Sequence, residues 1–293
     1  MTDVTKNRNK FIGGSDVAAI LGLDRYRTPY EVWEEKKHGI KSFEGNNVTE
    51  WGKILEPVII QYFEKQHGVK VSDNNVRYIS NEKDFLGCHP DGICEIKNER
   101  WLIEVKTVSS NAYKHWQNEL PLEYYCQVQH NMFVTGLKKC KFVYLVLDDR
   151  SYNEIDVNFD VEYYDLVKAH LIKWWDNYIV GDATPIKVVS DYEKENPETA
   201  TVEADDDTYK TYVELGELKL KIKELDKQKD VLEEQLKLKI GSATELMYGL
   251  ETLATWSPST SVKVDTKKLK EELPETFLKY AKETTSRRFL IKI

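Results

Sequence analysis

Residues 88–106 read CHPDGICEIKNERWLIEVK. Pro90-Asp91-Gly92 is a tight bend, because proline presets φ, aspartate tolerates turn geometry and glycine opens the remaining conformations. Two short strands follow, 93–96 and 101–106, split by the polar turn Lys97-Asn98-Glu99-Arg100. Side chains alternate along a strand. Glu104 and Lys106 therefore share one face, while Ile103 and Val105 take the other. A hairpin of this form returns Asp91 to the side of Glu104 and sets two carboxylates and one ammonium on a small patch of sheet.

That patch has a chemical use. Two carboxylates, joined by the backbone carbonyl of Val105, suit Mg²⁺, which prefers hard oxygen ligands and keeps several waters. A metal there polarises a phosphodiester and lowers the pKa of a bound water. Lys106, a compact point charge, orients that water and offsets charge on the phosphate. The same residues also fit a plain solvated hairpin with alternating charges, because Pro-Asp followed by Glu-x-Lys recurs by chance. The flanking sequence has to decide.

Composition narrows the class. The chain has 293 residues, 41% hydrophobic and 31% charged, with 42 Lys+Arg against 50 Asp+Glu and a net charge of −8. This argues against a basic DNA-coating protein, yet it leaves room for a nuclease whose metal site needs carboxylates. The four cysteines, Cys88, Cys94, Cys126 and Cys140, form no CxxC pair, so buried reduced thiols in a cytosolic protein are expected rather than a zinc or iron–sulfur site. The sequence has no run of 18 apolar residues and its first ten residues are polar. No membrane or export role is expected, and the protein should stay in the cytoplasm of the cell that makes it.

Upstream, Gly13-Gly14-Ser15-Asp16 leads into VAAILGL with helical apolar spacing. Ser15 is expected as the N-cap, and a glycine-flanked helix start with Arg8 just before it suits a phosphate. Thr28-Pro29 starts the next helix and Gly39 ends it. Residues 47–67 are strongly helical, with Pro57 inside and Glu56 before it as an inward-facing acid; Glu50 and Glu64 read as solvated. Short strands are expected at 69–72 and 76–79. Beyond Lys106 come a short helix at 111–118 and a clear one at 122–135, bounded by Pro121 and Gly136. On the latter, Tyr124, Gln127 and Asn131 share a face. Residues 142–147 read as an interior strand, 152–159 as a partly exposed one, and 161–178 as an aromatic-rich amphipathic helix.

The remainder changes character. Residues 189–208 are acidic and poor in large apolar groups, as in a linker. Residues 209–240 form a long charged helix in which Leu218, Ile222, Leu225, Leu232 and Leu236 follow 4-3-7-4 spacing, with Lys229 at the missing seam position. Beyond Gly241 the helix is expected to resume at 243–246. Strands are expected at 253–256 and 261–264, then a helix capped by Asp265, then a last strand over 284–292.

The order GGSDVAAILG, WGKILEPVI, CHPDGI, IEVK, CQVQHNM resembles the phage exonuclease family of lambda exonuclease, also described as YqaJ-type viral recombinases, within the PD-(D/E)xK nuclease superfamily. The resemblance covers about residues 8–180. It implies an α/β fold: a PD-(D/E)xK core of mixed sheet flanked by helices over 1–188, followed after the 189–208 linker by a C-terminal helical and β-hairpin module over 209–293. It implies that Glu56, Asp91 and Glu104, with the carbonyl of Val105, hold metal, two Mg²⁺ ions with Mn²⁺ able to substitute. It further implies that Lys106 is the catalytic lysine, that Gln127 assists near the nucleophile, and that Tyr124 contacts DNA one turn before it. Arg8 and Ser15 match positions that hold the 5′-phosphate. The implied activity is 5′-to-3′ digestion of one strand of linear double-stranded DNA, leaving a 3′ overhang for a single-strand annealing protein, by a homo-oligomeric ring, a trimer by analogy.

Three rival readings share these residues: an endonuclease or junction-cutting enzyme on the same core, a catalytically silent DNA-binding protein, and an interaction protein centred on the 209–240 helix. The complete acidic set with Lys106 argues against the silent copy. Cysteine spacing argues against a cluster-bearing relative.

Overall fold

The computed structural model describes residues 8–40, 45–74, 76–114, 116, 119–194, 201–281 and 287–291. They fall into two compact units, Met1–Tyr192 and Glu193–Ile293.

The first unit is built on a mixed sheet. Its strands are β1 (Val71–Ser72), then the short pair β2 (Tyr78–Ile79) and β3 (Gly87–Cys88), then β4 (Gly92–Ile96), β5 (Glu99–Val108), β6 (Lys139–Val146) and β7 (Tyr152–Asn158). The five-stranded sheet runs β1-β4-β5-β6-β7, while β2 and β3 pair separately. β4 and β5 form the expected antiparallel hairpin, with Gly92 opposite Ile103 and Ile96 opposite Glu99. Its turn residues Lys97 and Asn98 both have positive φ, 50° and 64°, the twist that a two-residue hairpin loop requires. β5 then pairs parallel with β6, Glu104 opposite Phe142 and Lys106 opposite Tyr144. A parallel neighbour demands a crossover, and the intervening helix supplies it.

The helices of this unit are α1 (Gly14–Ile20), α2 (Pro29–Trp33), α3 (Asn47–His67), α4 (Ser110–Tyr113), α5 (Leu122–Thr135), α6 (Val161–Trp174) and α7 (Val189–Lys194). α5 covers one sheet face, where Val128 and Met132 meet Leu102, Phe142 and Tyr144. α3 covers the other, where Ile59, Ile60 and Phe63 meet Ile103, Val105 and Val143. The period-two alternation of β5 is therefore buried on both sides. Pro57 sits inside α3 without ending it, and Glu64, though partly exposed, accepts from Val71 N–H at 2.9 Å and so ties α3 to β1.

Several local expectations change. Ser15 is not the cap of α1. Gly13 occupies that position, and the Asp16 carboxylate reaches back to Gly13 N–H at 2.9 Å. The helix starts a residue earlier than expected, at Gly14, so Ser15 lies inside its first turn and its hydroxyl accepts from Arg8 instead. Of the region expected as a short helix at 111–118, Ser110–Tyr113 is helical, and His115, Gln117 and Asn118 lie outside the described residues. Residues 189–194, which read as the start of a linker, form α7, where buried Asp191 accepts from Thr28 Oγ1 at 2.6 Å.

The second unit holds α8 (Asp206–Ile240), a hairpin of β8 (Glu245–Tyr248) and β9 (Glu251–Thr255), α9 (Thr266–Glu272) and α10 (Pro274–Tyr280). The hairpin lies earlier than its sequence reading. Residues 245–246 are strand rather than resumed helix, and 261–264 are not strand. Gly249, at φ 62°, makes the reversal between Tyr248 and Glu251, so the chain folds back there and not between 256 and 261. Residues 287–291 are not strand either; the rest of that expected strand, 284–286 and 292, lies outside the described residues.

Candidate active site

Glu104 is the centre of the site. It is 1% exposed in the middle of β5, where a lone carboxylate would be heavily penalised. Three side chains satisfy it. Lys106, two residues on and on the same face, donates to Oε1. Gln127 Nε2 donates to the same oxygen at 2.5 Å, and Asn131 Nδ2 donates to Oε2 at 3.1 Å. The last two lie one turn apart on α5, so one helix face grips both carboxylate oxygens.

Asp91 leaves the bend before β4 and accepts from the backbone N–H of Val105 at 2.8 Å. The hairpin thus brings the two acids to adjacent positions of β5, as the sequence reading required. The Asp91 carboxyl is pushed well above the usual aspartate range by burial and by the negative charge of Glu104 and Glu56, against the pull of Lys106. Glu56, half-buried on α3, is raised by burial and by Glu104, while Lys106 lowers it. Burial alone would lower the Lys106 ammonium, but Glu104 and Asp91 outweigh that and hold it above its ordinary value. Lys106 here is a fixed positive charge and donor. Its Nζ lies 5.8 Å from the ring centre of Tyr124, which packs against Trp116 and Phe142.

Whether these groups fit a metal can be judged from their chemistry. Among the described residues no three His, Cys, Asp or Glu side chains surround one point as a ready cage. Asp91 and Glu104 are instead satisfied by the N–H of Val105 and by Lys106, Gln127 and Asn131. The donor set nonetheless fits a hard divalent cation. It offers crowded carboxylates whose mutual repulsion a cation relieves, and Mg²⁺ needs only one or two carboxylates beside water and phosphate oxygens. Asp91 and Glu104, with the Val105 carbonyl, would hold such an ion, with Glu56 the more distant acid. The four cysteines are buried and free, and burial raises the Cys88 thiol.

A second, positive cluster stands beside the acids. Ile12 bridges to Leu86, its N–H donating to Phe85 O at 2.7 Å and its O accepting from Gly87 N–H at 3.0 Å, so the N-terminal segment lies against the strand leading to Asp91. There Arg8 Nη2 donates to Ser15 Oγ at 2.5 Å. His89 is lowered by burial and by the charges of Arg77 and Arg8. Arg77 stacks on Phe11, 4.5 Å from the ring centre, and Phe11 lies 5.7 Å from the His89 ring. Beneath them is Asp16, 0% exposed, paired with Arg27 at 2.6 Å and Lys36 at 2.7 Å. Lys36 also donates to the carbonyl of Arg8 at 2.8 Å. Burial would raise the Asp16 carboxyl, but Lys36, Arg27 and Arg8 together hold it far below the usual range.

The structure therefore brings Asp91, Glu104, Lys106 and Gln127 into one constellation, with Glu56 and Tyr124 at its edges and Arg8 with Ser15 alongside. Sequence reasoning placed Asn131 on the right helix face without giving it a task. It missed Asp16, Lys36, Arg77 and His89. Asn131 was recoverable from its spacing to Gln127, but Arg77 carries no local signal.

Comparison with known proteins bears on the family and the fold. A YqaJ-like viral recombinase domain matches residues 5–138. The YqaJ protein of Bacillus subtilis is 31% identical over 296 residues, covering 97% of this chain and 92% of its own length. An African swine fever virus protein is 26% identical over 121 residues, 39% of this chain and 34% of its own length. In fold, the chain is similar to an alkaline exonuclease from Laribacter hongkongensis, with a TM-score of 0.52 and 20% identity over 61% of this chain and 92% of that one. Among the described residues no helix is long and apolar enough to cross a membrane.

Proposed function

The chain belongs to the YqaJ-like viral recombinase family, and from that premise we propose that it is a Mg²⁺-dependent exonuclease that digests one strand of linear double-stranded DNA 5′ to 3′. The 3′ overhang left behind would receive a single-strand annealing protein. The observation that carries this reading is the grip of Lys106, Gln127 and Asn131 on buried Glu104, with Asp91 fastened to the next residue of the same strand.

In this reading Asp91 and Glu104, with the Val105 carbonyl and Glu56, would hold two Mg²⁺ ions, with Mn²⁺ able to substitute. When bound, they supply charge stabilisation at the phosphodiester and an acidified water. Lys106 and Gln127 exchange their hold on Glu104 for the attacking water and the scissile phosphate, and so position the reactants. Arg8 and Ser15 receive the 5′-phosphate, and Arg77 and His89 add donors and charge beside them. Tyr124 lines the path of the strand next to Lys106. The enzyme works as a homo-oligomeric ring, a trimer by analogy with its resemblance, which keeps it on the duplex between cuts.

The test is digestion of a 5′-phosphorylated linear duplex with Mg²⁺. Asp91→Ala and Lys106→Ala should each slow turnover by at least about a hundredfold, and full activity in either would sink the assignment. Covalently closed circular duplex should resist the enzyme; cleavage at the linear rate would point to an endonuclease. Arg8→Ala should narrow the preference for 5′-phosphate over 5′-hydroxyl ends.

A further inference from the structure

We propose that α8 pairs with α8 of a second copy of this chain as a parallel, in-register two-stranded coiled coil. α8 is a single helix of 35 residues, about 52 Å long at 1.5 Å per residue. Leu218, Ile222, Leu225, Leu232 and Leu236 recur at 4-3-7-4 spacing, which makes Leu218, Leu225 and Leu232 heptad d positions and Ile222 and Leu236 a positions. Their exposures are 47, 56, 62, 61 and 48%. A continuous seam left half in water on a helix this long calls for a partner with the same repeat.

The residues flanking the seam identify that partner and its direction. The g positions are Glu214, Lys221 and Gln228, and the e positions are Lys219, Asp226 and Glu233. In a parallel in-register pair each g residue meets the e residue five positions on in the other chain. Glu214 then meets Lys219 of the second copy, Lys221 meets Asp226, and Gln228 meets Glu233. Every charged pair is of opposite sign, and each occurs twice. An antiparallel pair that overlaps the whole seam sets e against e and brings Asp226 onto its own counterpart.

Lys229 fills the remaining a position. Its ammonium lies 3.5 Å from both Asp226 and Asp230 of its own helix, drawn off the seam and neutralised there. A single lysine at an a position lowers stability but selects register and strand number, and Ile222 at a with leucine at d favours two strands. The pairing does not depend on the chemistry assigned to Glu104 and its neighbours, and it links copies from two different rings, because the three α8 helices of one ring cannot all pair two by two.

The experiment uses the full chain carrying Leu218→Cys under mild oxidation, with the covalent pair read on a non-reducing gel. The native thiols are buried, so a cross-link reports position 218, which faces itself in the parallel in-register arrangement, whereas an antiparallel pair overlapping the whole seam sets it against Leu236. Adding Lys221→Glu should lower the cross-linked fraction at least about threefold, and adding Asp226→Lys should do the same, because each makes two like-charge pairs. An equal mixture of the two double variants should restore the fraction, since both flanking pairs are again opposite in sign. A chain that does not cross-link at 218, or a yield that ignores the charge changes, overturns the proposal.

Discussion

Asn131 Nδ2 donates to Glu104 Oε2 at 3.1 Å, while Lys106 and Gln127 share the other oxygen. The amide thus fixes the carboxylate's rotation from the side away from the lysine. Asn131→Ala should lower turnover on linear duplex about tenfold, the scale of one hydrogen bond to a charged group. Km for DNA should change less than kcat. Equal activity of the variant would show that the lysine and glutamine orient Glu104 by themselves.

Gly14 makes that grip possible. A Cβ at this position would lie 2.2 Å from Asn131 Oδ1 and 3.1 Å from Gln127 Cγ, whereas one at Gly13 would meet nothing nearer than 3.5 Å. Gly14→Ala should therefore destabilise the first unit by about 1–3 kcal/mol and reduce activity in parallel. Gly13→Ala should lower stability by no more than about 1 kcal/mol. Thermal unfolding of the two variants side by side checks the contrast.

Asp16 compensates Arg27 and fully buried Lys36. Asp16→Asn removes the close partner of buried Lys36 and leaves Arg27 with Glu35, a loss of about 3–5 kcal/mol for a buried pair with one partner removed. Adding Lys36→Met should recover much of it, because the uncompensated ammonium is then gone. Equilibrium denaturation of the single and double variants measures the recovery.

His130 is fully buried between Gly87 O, 3.0 Å from Nε2, and Tyr164 Oη, 2.8 Å from Nδ1. The carbonyl can only accept, so Nε2 carries the proton and Tyr164 donates to Nδ1. Burial lowers this imidazole from 6.5 to about 4. The unfolded chain then binds more protons than the folded one between those values, so stability contributed here is complete above pH 6.5 and lost as pH falls towards 4. The loss should approach about 3 kcal/mol at the acid end. Urea unfolding from pH 7 to 4.5 should show this slope, and His130→Gln should flatten it.

Much of the active-site frame is legible from local pattern. The bend at Pro90-Asp91-Gly92, the alternation that puts Glu104 beside Lys106, and the helix Leu122–Thr135 with Gln127 and Asn131 on one face all follow from periodicity and turn chemistry within single elements. Those rules act between neighbours a few residues apart, so one sequence suffices to apply them.

Tertiary structure decided what crosses between elements. Ser15 fell inside the first turn of α1 because the helix starts at Gly14 with Asp16 tied back to Gly13, and its hydroxyl met Arg8. The reversal at Gly249 moved the C-terminal hairpin upstream of the strands expected at 253–256 and 261–264, because a positive-φ glycine offered the tighter closure. That Asn131 reaches Glu104 at all rests on Gly14 letting α1 lie close against α5. Such contacts depend on distances set by packing many residues at once, and no single stretch of chain contains them.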